Sequence, residues 1–284
     1  MHRDLEEQLH KETQKNLLCG GLSREIYQSL SVIRNASGYL LREVKRSAPE
    51  LYTEKMNWAF DMIQQSALRL NRVAENLEDM LAAERNVLVP RNEWIDLVWQ
   101  YHRAVELLKA GSTGYKVDIV WQCQLSENQI FLLADADWAD KILLNLLSNA
   151  VLCSQSGQVV TVLLSKEENA LKLSITDNGP GIPQSIQEHL FEAFVNQYAT
   201  QTPVSGTGLG LYLAYSYCKM MKWELTLQTG EKGTTANVLI PLTEPDWQQV
   251  NLKSSSSTLG VDAQKQRIQA ELCMRQAQKQ CITE

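Results

Sequence analysis

The sequence predicts an α+β protein: an N-terminal antiparallel helical hairpin, then an α/β sandwich with a mixed, largely antiparallel sheet. Three observations predict it. Residues 5–46 lack proline and place Leu22, Ile26, Leu30, Ile33, Leu40 and Val44 at helical spacing. After a turn at Ser47-Ala48-Pro49-Glu50, a second stripe runs through Phe60, Ile63, Ala67, Leu70, Leu77 and Leu81. Beyond Val89-Pro90 the texture changes to helices mixed with strand-like runs, the pattern of a sheet covered on one face by helices.

The first domain, 1–88, is two long helices joined by a short turn. Alone it cannot bury both apolar stripes, so a four-helix bundle formed by dimerisation is expected, or packing against the rest of the chain. The second domain, 89–245, reads in order as a helix over 94–109, a strand in KVDIVWQCQL (116–125) and a helix over 137–152. Ile142, Leu143, Leu146 and Leu147 form the buried face of that last helix. Strands follow at 158–165 and 170–177, then helices near 184–194 and at 209–221, then strands at 223–229 and 234–242. The third part, 246–284, opens with the polar linker KSSSST (253–258). Its remaining stripe, Ile268 and Leu272, supports a marginal helix or disorder, and no chemistry.

Composition narrows the function. Apolar content of 44% and charged content of 21% belong to an ordinary globular protein. A net charge of −6 without a Lys/Arg-dense face argues against nucleic-acid binding. No apolar run is long enough to cross a bilayer, and MHRDLEEQLHKE is too charged for a signal peptide. The six cysteines form no CxxC pair and have no histidine at ligand spacing, so they read as free thiols in a reducing cytoplasm.

Four segments carry chemistry. In DADWADKILLNLLSNAV (135–151), Asn145 and Asn149 stand four apart on one helical face. Their amide oxygens suit Mg²⁺, a hard cation, although asparagine is also an ordinary surface residue. DNGPGIP (177–183) is a strong turn signal, but its Asp177 ends an apolar strand, where a buried carboxylate needs a partner such as a purine amino group. LFEAF (190–194) alone reads as core packing. GTGLGL (206–211) is a glycine loop opening a helix, either a simple turn or a phosphate cradle.

In this order the four segments resemble the N, G1, F and G2 boxes of the ATP-binding domain of sensor histidine kinases, in the superfamily of gyrase B, Hsp90 and MutL. The resemblance spans residues 93–243 and includes the closing strand KGTTANVLIPL. It implies that ATP or ADP binds with Mg²⁺. Asn149 would hold the metal, with Asn145 beside it in a catalytic role, and Asp177 would accept from the adenine amino group against a wall shaped by Gly179 and Gly181. Phe191 and Phe194 would pack near a mobile lid, 195–205, with Phe194 among the nucleotide-binding residues. Gly206, Thr207, Gly208, Leu209 and Gly210 would bring the backbone to the phosphates.

The hairpin is similar to the dimerisation hairpin of the same kinases, whose first helix bears the motif S-H-E-L-R-T-P-L. Here residues 22–30 read L-S-R-E-I-Y-Q-S-L, with Arg24 in the histidine's place. Arginine keeps its proton and has no lone pair to offer a γ-phosphorus, so autophosphorylation at residue 24 is excluded. The lid, VNQYATQTPVS, contains no Lys or Arg, and Leu152 and Cys153 stand where the family commonly has a lysine and an aromatic residue. Fewer cations weaken phosphoryl transfer more than nucleotide binding. Three functions follow from the resemblance: a two-component signalling kinase acting on a partner such as a response regulator, a pseudokinase serving as a nucleotide-controlled dimeric module, or a response-regulator phosphatase or phosphotransfer scaffold. In the third, Gln28 would orient water beside Glu25, although both residues also fit a solvated helix flank.

Overall fold

The computed structural model describes residues 26–47, 49, 52–111, 117–127, 129–194 and 208–242 of the 284-residue chain. Leu22, Arg24, Glu25, the 195–205 lid, Gly206, Thr207 and the 246–284 tail lie outside the described residues. The chain divides into two compact units, Met1–Val87 and Leu88–Glu284.

In the first unit, residues 26–47 form helix α1 and Glu54–Glu84 form helix α2. They run antiparallel. Tyr27 on α1 is coupled to Glu75, Glu78 and Asp79 near the far end of α2, and Gly38 faces Gln64 midway. α2 starts at Glu54, not directly after Pro49, because the Met56 N–H donates to the Thr53 hydroxyl at 3.3 Å and closes the first turn there. Of the two apolar stripes, Leu30, Ala67 and Leu81 are buried, whereas Ile33, Leu40, Ile63 and Leu70 are exposed.

The second unit runs β1 (Glu93–Asp96), α3 (Leu97–Gly111), β2 (Asp118–Gln124), β3 (Phe131–Ala134), α4 (Ala136–Cys153), β4 (Val159–Glu167), β5 (Ala170–Thr176), α5 (Gln184–Gln187), α6 (Gly210–Met220), β6 (Glu224–Gly230) and β7 (Gly233–Pro241). Five strands form one sheet in the order β2-β4-β5-β7-β6, with β2 parallel to β4 and every other neighbour antiparallel. β1 and β3 form a separate antiparallel pair. Alternation along the strands sets the layers. Val160, Val162 and Leu164 of β4 and Leu171, Leu173 and Ile175 of β5 are buried on the helical side. The opposite face is polar: Ser174 donates to Asn237 at 2.7 Å and the Thr176 and Thr235 hydroxyls lie 3.0 Å apart.

Two expected helices are corrected. Residues 94–96 are strand, because Glu93–Asp96 finds a partner in Phe131–Ala134, a strand not expected from the sequence. The Asp96 carboxylate then accepts from the Trp99 N–H at 3.2 Å, which caps α3 and sets its start. The helix expected near 184–194 shrinks to Gln184–Gln187, followed by turns. Phe194 closes that stretch with φ +61°, a left-handed conformation that no α-helix continues through.

Candidate functional site

α4 organises the site. Its Asp135 cap accepts from the Asp137 and Trp138 N–H groups with one oxygen and from the Arg91 N–H with the other, so the helix entrance is pinned. The helix is then buried on nearly every side. Its exposed positions are Asn149 and Cys153. With Asn145, which is buried, these stand four apart along one face, each step about 6 Å along the axis.

The two ends of this face touch different loops. At one end a Cβ placed on Gly210 would sit 3.4 Å from the Asn145 Oδ1, so Asn145 backs the first residue of α6. At the other end a Cβ on Gly179 would come 2.7 Å from the Cys153 carbonyl oxygen, so the end of α4 abuts the loop after β5. Asn149 lies between them and faces solvent. The exposed notch in an otherwise buried helix therefore opens where the 177–183 loop and the start of α6 approach the same helix.

Asp177 is held in that loop by backbone donors. Its Oδ1 accepts from the Gly179 N–H at 2.8 Å and from the Thr234 N–H at 3.2 Å. Its own N–H donates to the Thr234 carbonyl at 2.9 Å. Among the described residues no donor reaches Oδ2, and the residue as a whole is only 6% exposed. Burial pushes the carboxyl above the ordinary carboxylate range, and the two N–H donors pull against that rise. A carboxylate oxygen without a protein donor is open to a donor from a ligand. An exocyclic amino group supplies one.

The β6–β7 turn forms the wall behind this loop. Gly233 approaches the Asp177 carbonyl and Gly181 (φ +73°) the Gly230 carbonyl so closely that neither has room for a Cβ. The Ile182 N–H donates to the Thr229 hydroxyl at 2.7 Å, which lies 3.2 Å from the Thr234 hydroxyl. On the other flank, Gln158 donates to the Asn178 carbonyl at 2.7 Å, and Asn178 donates back to the Val159 carbonyl at 2.9 Å.

Around the F segment, Phe191 stacks on Tyr215 of α6 with ring centroids 4.5 Å apart. Phe194 is exposed, and its N–H donates to the Gly208 carbonyl at 3.2 Å, which joins the segment to the glycine loop at the head of α6. Leu209 is buried, and Gly210 opens the helix, whose N-terminal dipole favours an anion there.

The structure thus brings Asn145, Asn149, Asp177, Gly179, Gly181, Phe194, Gly208, Leu209 and Gly210 into one linked set of elements. Gln28 lies exposed on α1, in the other unit. Sequence reasoning missed Thr229, Thr234 and Gln158. The signal available for Thr234 was its place at the head of the closing strand, whereas Thr229 and Gln158 sit in segments with no motif.

A magnesium ion fits as a shared ligand, not as a protein-caged one. Among the described residues no group of three or more His, Cys, Asp or Glu side chains is arranged to hold a metal. A single exposed amide oxygen, that of Asn149, is the donor type that Mg²⁺ combines with water and substrate phosphates.

Comparison with known proteins supports the fold. A family model described as histidine kinase-, DNA gyrase B-, and HSP90-like ATPase matches residues 134–244. The chain is 27% identical to the sensor histidine kinase YvrG of Bacillus subtilis over 196 residues, 68% of this chain and 32% of that protein. It is 23% identical to the sensor protein KdpD of Escherichia coli over 232 residues, 81% of this chain and 25% of that one. The chain therefore spans about a third or less of these curated relatives. Among solved structures, full-length ShkA in complex with AMPPNP superposes with a TM-score of 0.60 at 20% identity, covering 80% of this chain and 46% of that one. The Acinetobacter baumannii histidine kinase AdeS gives 0.52 at 16% identity, covering 74% and 97%. At these identities the structural likeness establishes the fold.

Proposed function

We propose, from the similarity of residues 134–244 to the histidine kinase-, DNA gyrase B-, and HSP90-like ATPase family, that this chain binds Mg-ATP or Mg-ADP and acts as a histidine-kinase-like component of two-component signalling. The observation that carries the reading is the notch in α4, where exposed Asn149 lies between contacts to the Asp177 loop and to the head of α6.

Each residue then has a task. Asp177 accepts the adenine amino hydrogen through Oδ2 while its Oδ1 is occupied by backbone donors. Gly179 and Gly181 keep the adenine wall free of side chains. Gly208, Leu209 and Gly210 present backbone N–H groups and the α6 dipole to the phosphates, a role the glycine-rich sequence pattern extends to Gly206 and Thr207. Asn145 holds the first turn of α6 in register with α4, and Phe194 ties the F segment to the same loop. Mg²⁺ held by Asn149 would neutralise phosphoryl oxygens.

Phosphoryl transfer is the weaker half of this chemistry. By the motif resemblance Arg24 stands in the phosphoacceptor histidine's place, and residues 195–205 contain no Lys or Arg. Those two facts favour a nucleotide-controlled signalling module whose phosphoryl acceptor, if one is used, resides on a partner such as a response regulator. A phosphatase role for Gln28 and Glu25 is the alternative, and it is lost if Gln28→Ala leaves dephosphorylation of that regulator unchanged. The exposed stripe residues Ile33, Leu40, Ile63 and Leu70 support a homodimer through the hairpin. Among the described residues no helix is long and apolar enough to cross a membrane, and a cytoplasmic position is proposed.

The test is calorimetry with Mg-ADP beside an assay with γ-labelled ATP. Binding of ADP is expected, with a weaker magnesium dependence in Asn149→Ala and little labelled product. Absence of any adenine-nucleotide binding by the intact chain overturns the proposal.

A further inference from the structure

We infer that Thr229 is a positioning residue for the base-reading carboxylate: strand β6 sets the specificity of the site without touching the ligand. The inference rests on the adenine reading of Asp177 given above.

The connection can be followed atom by atom. The Thr229 hydroxyl accepts the Ile182 N–H at 2.7 Å. It also lies 3.2 Å from the Thr234 hydroxyl. Because Oγ1 accepts from Ile182, its own proton is free to go to Thr234, so one side chain joins the far end of the loop to the strand opposite. Thr234 in turn grips Asp177 from both sides, with its N–H on Oδ1 at 3.2 Å and its carbonyl on the Asp177 N–H at 2.9 Å. Residues 177–182 are therefore closed into a ring whose two ends meet the same hairpin. Gly181 against Gly230 and Gly233 against Asp177 leave that ring no slack.

What the ring controls is the direction of Oδ2. Oδ1 is fixed by two backbone donors, so rotating or retracting the loop turns the remaining lone pairs away from an amino group. A hydrogen bond to a part-buried donor is also costly to remove: Thr229→Val leaves the Ile182 N–H without that acceptor. Relief comes through movement of the loop, and Asp177 moves with it. Discrimination at such a site depends on the acceptor's placement, because an analogue lacking the donor never benefits from it.

The experiment compares wild type, Thr229→Val and Thr229→Ser as full chains, using ADP and inosine diphosphate, which has an oxygen where adenine has its amino group. Thr229→Val is expected to weaken ADP binding about five- to tenfold, the scale of one misplaced hydrogen bond. Inosine diphosphate should change less than about twofold, so selectivity falls by most of the ADP effect. Thr229→Ser keeps the hydroxyl and should restore ADP binding. Equal losses for both nucleotides, an unchanged ADP affinity in Thr229→Val, or a serine variant as weak as the valine each overturn the inference. Amide exchange on the nucleotide-free protein separates this claim from the adenine reading. Ile182 should exchange faster by about tenfold in Thr229→Val and not in Thr229→Ser, whether or not any nucleotide binds. Unchanged exchange overturns the coupling. Failure of the wild type to bind ADP overturns the adenine reading and leaves the coupling to be judged by exchange.

Discussion

Asp177 shows what a single residue of this site trades. Burial raises its carboxyl above the usual range, with the Gly179 and Thr234 N–H groups in opposition. A raised carboxyl holds its proton more tightly in the folded chain than in the unfolded one. Its ionisation therefore costs stability as pH rises from the ordinary carboxylate value through the raised one. Nucleotide binding runs the other way, since the amino group is best accepted by the ionised form. ADP affinity is expected to decline as pH falls from neutral into the mildly acidic range, at a pH above that of an ordinary aspartate, as followed by calorimetry. Asp177→Asn keeps an oxygen for the two backbone donors but can turn an NH₂ toward the base. It should weaken ADP about tenfold to a hundredfold, the range for a hydrogen bond to a charged group, without lowering the thermal midpoint. A fall in the midpoint together with unchanged ADP binding would show that the carboxylate serves the fold alone.

At the scale of elements, α4 is both core and site. Leu143 and Leu147 on its inner side are fully buried, and Asn149 and Cys153 open on the outer side. Leu147→Ala is expected to cost about 2–5 kcal/mol by denaturant unfolding, because a close-packed interior leaves a cavity when a leucine is cut back. Gly181→Ala should do something different. A Cβ at φ +73° would collide with the Gly230 carbonyl, so the loop must shift. ADP binding is expected to fall at least about tenfold, since a main-chain displacement moves Asp177. Calorimetry on the folded variant reads that loss.

For the whole molecule, the two units answer separate questions. Unpartnered Ile33, Leu40, Ile63 and Leu70 on the hairpin are expected to meet a second copy. Light scattering should give twice the chain mass, and Ile33→Glu combined with Leu40→Glu should reduce it to one. The hairpin and the α+β sandwich were legible in the sequence because a period near 3.6 and strict alternation each record which face must leave water. The order of the four motif segments was legible too, since in the glycine-bearing ones close backbone approach admits few residue types. The strand Glu93–Asp96 was not, because four residues acquire strand geometry only from a partner some forty positions away. Nor was the part played by Thr229, whose hydroxyl is unremarkable until folding sets it beside Ile182. The sequence by itself determined which segments are apolar and which are bent, both properties of neighbouring residues. Only the tertiary structure decided that one helix backs both loops and that a hairpin from the end of the domain grips Asp177, since hydrogen bonds across long separations leave no local periodicity to read.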